Sequence, residues 1–74
     1  MNLEQLTFES ANDLIVDLYQ NKKEIYYKVE KAILTIRDYN LMLGLVKDSQ
    51  IREKIENKRK ELIEYVLWNT RPHD

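Results

Sequence analysis

Residues 11–43 read ANDLIVDLYQNKKEIYYKVEKAILTIRDYNLML. Within this stretch Leu14, Leu18, Ile25, Val29, Ala32, Ile36, Tyr39 and Leu43 recur at helical spacing. Stepped at about 100° per residue, they stay within a narrow arc. Only one other strong helical pattern exists, Ser49 to Trp68, and it is clearly shorter; Ile51, Ile55, Leu62 and Val66 share one of its faces, with Tyr65 at the flank. The apolar phase does not slip at Asn21, which favours one long first helix of roughly 50 Å at about 1.5 Å per residue. Against that, Asn21 followed by Glu24 is a weak form of a capping box. A break there gives three helices over about 10–20, 22–43 and 49–68. The fold class is therefore all-α: an antiparallel helical hairpin with a long first helix, or, broken near Asn21, a three-helix bundle.

Working outward, Gly44 follows the last stripe residue and is the natural left-handed C-cap, with Leu45 as its hydrophobic contact. Asp48 or Ser49 then caps the return helix, and Thr7 or Ser10 caps the first. Antiparallel pairing sets Ile51 near Leu43, Leu62 near Ala32 or Ile33, and Val66 near Ile25 or Val29. Leu14, Ile15 and Leu18 then extend past the end of the return helix. The return helix ends near Asn69, and residues 71–74 read as a frayed tail to a single helical domain over residues 1–70.

The chain has 74 residues, no cysteine, one Gly and one Pro. A single core of this size supplies about 3–5 kcal/mol, and with no disulfide to staple it the remaining routes are tight helix packing or oligomerisation. No apolar run approaches the roughly 18 residues of a membrane span, and the N-terminus lacks the basic start and apolar block of a signal peptide. A cytoplasmic, non-membrane protein is the expectation. The Ile, Lys, Asn and Tyr content fits an AT-rich coding sequence, as in low-GC bacteria, their phages and mobile elements.

Net charge is −1, unevenly spread. Residues 1–20 hold Glu4, Glu9, Asp13 and Asp17 and no Lys or Arg, whereas Lys47, Arg52, Lys54, Lys58, Arg59 and Lys60 crowd residues 47–60. Leu14 and Leu18, with Asp13 and Asp17 beside them, are the candidates for self-association: the acidic overhang would lie against the basic flank of a second copy in a two-fold homodimer. A second apolar stripe, Val16, Tyr27, Leu34 and Leu41, lies on the back of the long helix, its last three members at coiled-coil spacing. Tyr27, Leu34, Leu41, Ile63, Leu67 and Trp68 are the candidate partner-binding residues, because aromatic and large apolar side chains anchor interfaces. Arg52, Lys54, Lys58, Arg59 and Lys60 are the alternative nucleic-acid contact, but Glu53, Glu56, Glu61 and Glu64 interleave them and the chain lacks the basic balance such proteins show.

Catalytic chemistry finds little support. The one histidine, His73, sits in the tail; no metal-ligand spacing and no Gly-rich phosphate loop is present. Glu30 and Asp38 read as surface groups rather than an acid–base pair. The stretch Asp13-Leu14-Ile15-Val16-Asp17-Leu18 followed by Lys22-Lys23 resembles the first helix of all-helical chorismate mutases, over that helix alone. Those enzymes grip two carboxylates with arginines, and residues 1–36 contain none, so no catalytic residue carries over. The expected function is binding: a small non-enzymatic regulator or inhibitor, without cofactor or metal, that occupies a surface of a larger protein through its helical apolar stripes. A nucleic-acid accessory protein and an inert structural subunit are the alternatives.

Overall fold

The computed structural model describes residues 2–71. A 3-10 turn at Leu3–Gln5 leads into three helices: α1 (Phe8–Asn21), α2 (Lys23–Leu45) and α3 (Ser49–Thr70). The fold is all-α. Pro72, His73 and Asp74, most of the expected tail, lie outside the described residues.

Thr7, not Ser10, caps α1. Its Oγ1 accepts from the Ser10 amide (3.1 Å), while Ser10 Oγ accepts from the Thr7 amide (2.8 Å), a reciprocal capping box. Asp48 caps α3, with Oδ1 accepting from the amides of Gln50 (2.9 Å) and Ile51 (3.1 Å).

The long first helix does not form. One residue, Lys22 (φ −146°, ψ 64°), separates α1 from α2, and the chain folds back there. Phe8 stacks on Arg37 while Tyr19 meets Tyr26, so α1 runs antiparallel to α2. The capping signal at Asn21 works differently from its sequence reading. Asn21 Nδ2 donates backwards, to the carbonyl (3.0 Å) and Oδ1 (2.9 Å) of Asp17, closing the end of α1 rather than opening α2. Burying a leucine is worth on the order of 1.5–3 kcal/mol, whereas an exposed helical hydrogen bond contributes about 0.5–1.5 kcal/mol and water replaces much of it. Folding back therefore outweighs helix continuity.

This removes the overhang. Leu18 is only 5% exposed within the single chain, and Leu14 is half-buried against the same core. The unmatched stripe that called for a second protomer is covered by α2 itself. Asp13 and Asp17 remain exposed.

The end of α2 also differs from expectation. Gly44 lies inside the helix, which continues to Leu45, and no glycine has positive φ among the described residues. A side chain from α3 replaces the left-handed cap: Arg52 Nη1 donates to the carbonyls of Leu43 and of Val46 (3.0 Å), serving orphan acceptors at the helix end. Arg52 is thereby drawn inward, and Ile51, expected beside Leu43 in the core, is 50% exposed.

α2 is the central element. It packs against α1, α3 and the 3-10 turn, and each of these packs more extensively on α2 than on the others. Val29, Ala32, Ile33 and Ile36 of α2 form the centre of the core. Ala11 and Leu18 of α1, Val66 of α3, and Leu3 and Leu6 of the N-terminal arm close around it. One polar junction joins three of these parts. Asn40 Nδ2 donates to the carbonyls of Leu3 (3.0 Å) and Leu6 (3.1 Å), and Asn40 Oδ1 accepts from Arg59 Nη1 (2.9 Å). The molecule measures 40 × 25 × 18 Å. This flattened shape leaves two long inter-helix faces open, one along α1 and α2 and one along α2 and α3.

Candidate interaction surfaces

The first face collects aromatic and apolar side chains that the core does not use. Tyr27, Leu34 and Leu41 are seven residues apart on α2, which keeps them on one side of the helix. Tyr27 is 73% exposed, Leu41 51%, and Leu34 is partly covered. The fold-back at Lys22 brings α1 alongside and adds Phe8, 53% exposed, and Tyr19. Phe8 and Leu41 line the same shallow recess, together with Leu6, Arg37 and Asn40. The Arg37 guanidinium lies 4.3 Å from the centre of the Phe8 ring and pairs with Asp38 at 2.9 Å.

At the other end of this face three tyrosines form a chain of edge contacts. Tyr26 meets Tyr19 at 5.1 Å and Tyr27 at 5.2 Å between ring centres, and Lys23 Nζ sits 4.8 Å from the Tyr19 ring. Such T-shaped and cation–π contacts hold ring positions in the absence of full burial. The Tyr26 hydroxyl donates to Glu30 Oε2. That hydrogen bond, reinforced by partial burial and the Glu30 charge, holds the Tyr26 phenol above its ordinary pKa. Glu30 and Asp38 thus each have a local structural partner.

The remaining partner-binding candidates separate from this face. Ile63 and Leu67 are half-buried and pack on the core, so they support the fold. Trp68 is 63% exposed and sits on α3. Phe8 and Tyr19 are the residues sequence reasoning missed. Both lie on the flank of the α1 stripe, and only the fold-back places them beside Tyr27 and Leu41.

The basic candidates divide as well. Arg52 caps α2 and Arg59 serves the Asn40 junction. The 100° step places Lys60 on a different side of α3 from Lys54 and Lys58. The 52–60 segment is therefore not one cationic patch. A different cationic surface forms in the groove between α2 and α3. Lys28 and Lys31 stand at one recess with Ala32, Thr35, Leu62 and Tyr65; Lys54 and Lys58 stand at the next with Tyr39 and Ile55. The two recesses are one helical turn apart on each helix. Tyr65 Oη donates to the Lys28 carbonyl (2.9 Å), tying the rims together. Among the described residues, the ion pairs are Arg37–Asp38 and Arg52–Glu56, and neither uses a groove lysine.

Among the described residues no cluster of three or more His, Cys, Asp or Glu side chains could hold a metal ion, and no helix is long and apolar enough to cross a membrane. His73 lies outside the described residues. Compared with protein-family models, curated proteins and solved structures, the chain matches none.

Proposed function

We propose that this chain is a small protein-binding regulator or inhibitor that occupies a surface of a larger protein with the aromatic face of α1 and α2. The observation that supports this reading is the exposure of Tyr27, Leu41 and Phe8, with Tyr27, Leu34 and Leu41 on one side of α2 and Phe8 in the same recess as Leu41, in a fold that has three helices available to cover them. Aromatic residues are enriched among interface anchors, and contiguous exposed apolar surface rimmed by polar groups is characteristic of interaction sites. The tyrosine chain gives the face a fixed shape before any partner arrives, which lowers the ordering cost of association. Small size and an AT-rich composition fit a phage or mobile-element product acting in the cytoplasm of a bacterial host. Closure of the core within one chain removes the original reason for a dimer, so the regulator reads as a monomer that binds one-to-one.

The test uses the intact protein, immobilised and exposed to a lysate of the source cell, with captured proteins identified by mass spectrometry. A Tyr27→Lys, Leu41→Lys double variant carries the comparison, and Lys60→Glu is the control. The reading requires a partner captured by the parent protein and the control but lost from the double variant, whose thermal melt stays close to the parent's. Equal capture by all three places the contact elsewhere.

A further inference from the structure

We infer that the α2/α3 groove is a second docking site, and that its occupant is an acidic amphipathic segment of a partner protein. This goes beyond the proposed function, because it concerns the other open face and different residues.

The inference rests on charge and on the groove's interior together. Lys28 and Lys31 flank it on the α2 side, Lys54 and Lys58 on the α3 side. All four lysines are exposed, and among the described residues none of them forms an ion pair. Between them the surface is mainly apolar, supplied by Leu62 and the rings of Tyr39 and Tyr65 over the buried Ala32 and Ile55. The two recesses run along roughly 16 Å of α3, from Lys54 to Tyr65, or about three helical turns. A segment with carboxylates on both edges and apolar side chains between them meets both features at once. This is the arrangement by which amphipathic helices lie in grooves.

Two other occupants fit less well. A nucleic acid would satisfy the lysines and could stack bases on Tyr39 and Tyr65, but Ala32, Leu62 and Ile55 offer those bases no hydrogen-bond partner. A chain of net charge −1 also lacks the wider basic footprint that phosphate binding needs. A second copy of this chain could offer Glu9, Asp13 and Asp17 from the outer edge of α1. Near that edge only Val16 is apolar and clearly exposed, so the floor would stay unfilled.

The experiment is fluorescence anisotropy with the full chain and three labelled probes. These are a 14-residue Glu/Leu amphipathic helix, a poly-glutamate peptide of equal charge, and a single-stranded oligonucleotide of equal length. Measurements run at low and at physiological salt, with sedimentation of the unlabelled protein alongside. The amphipathic probe is expected to bind at least about tenfold more tightly than poly-glutamate. The Lys31→Glu, Lys58→Glu double variant should weaken it by at least about tenfold, since two attractions become two repulsions, while Lys60→Glu leaves it unchanged. Four results overturn the inference: no binding of the amphipathic probe, equal binding of poly-glutamate, tighter binding of the oligonucleotide, or a dimer that dissociates on reversal of Lys31 and Lys58. Capture through Tyr27 and Leu41 in the preceding test is independent of all four.

Discussion

Replacing Asn40 by alanine should loosen the N-terminal arm and cost most of the domain's stability. From α2, Asn40 hydrogen-bonds both the arm and α3: two donated bonds, to the Leu3 and Leu6 carbonyls, and one accepted from Arg59. The Leu3 carbonyl keeps a second partner, the Leu6 amide at 3.3 Å. Alanine therefore strips the Leu6 carbonyl and the half-buried Arg59 guanidinium of a partner, and only weakens the Leu3 carbonyl. An unsatisfied buried polar group costs about 1–3 kcal/mol, and the junction's partial exposure puts each near the lower end. The sum is about 2–3 kcal/mol, a roughly 30- to 150-fold fall in the folded-to-unfolded ratio. Against a total of about 3–5 kcal/mol for a core of this size, that is most of the stability. Urea unfolding followed by helical circular dichroism and by Trp68 fluorescence gives the number. Hydrogen exchange at the Gln5 and Leu6 amides, which bond within the 3-10 turn, reports the arm directly. A loss below about 0.5 kcal/mol, within the range of ordinary surface substitutions, with unchanged exchange at both amides would refute the reasoning.

Other expected outcomes follow from single features. Gly44→Ala should stabilise by about 0.5–1 kcal/mol, because Gly44 is helical and nothing lies within 4 Å of an added Cβ; a left-handed cap would make the same change destabilising, and a thermal melt separates the two. Arg52→Ala, which removes the side chain bonded to the Leu43 and Val46 carbonyls, should destabilise by about 1–2 kcal/mol, whereas Lys60→Ala should move the urea midpoint very little. Ile33, fully buried at the centre of α2, should cost about 2–5 kcal/mol as alanine, enough to unfold the chain at room temperature. In a tyrosinate absorbance titration Tyr26 should ionise above the ordinary phenol range, and Tyr26→Phe should remove that late component. Because the folded state raises this pKa, the Tyr26–Glu30 contribution to stability is complete below pH 10 and is lost as pH climbs through the raised value; a late component that survives the substitution would assign it to another tyrosine.

The helices themselves were readable from periodicity: the three-helix variant, 10–20, 22–43 and 49–68, lies within about two residues of α1, α2 and α3 at every end. The break was harder to see. An apolar phase that continues through Asn21 suggests continuity only if the helix is straight. A one-residue break lets both stripes keep their phase and still converge on one core. A usable signal was present in Gln20-Asn21-Lys22-Lys23-Glu24, five polar residues in succession that are all exposed, and in the seven-residue gap between Leu18 and Ile25. Gly44 suggests a left-handed cap, but Arg52, eight residues further along the chain, supplies the cap instead. Half of the aromatic face was legible: the spacing of Tyr27, Leu34 and Leu41 marks it, but Phe8 and Tyr19 join it only through tertiary packing. The basic segment hides its division for a similar reason, since counting charges along residues 52–60 does not show that Arg52 and Arg59 hydrogen-bond to α2.

The fold-back at Lys22 creates the aromatic face and closes the core, so the distance between α1 and the middle of α2 tests the whole account. With no native cysteine, Glu9→Cys and Asp38→Cys place two spin labels cleanly. The chain, diluted with unlabelled protein, can then be measured by pulsed electron–electron resonance. Side-by-side helices of about 10–12 Å diameter predict a separation under about 25 Å. A distribution centred near 44 Å, the length of an unbroken helix between those positions, would contradict it.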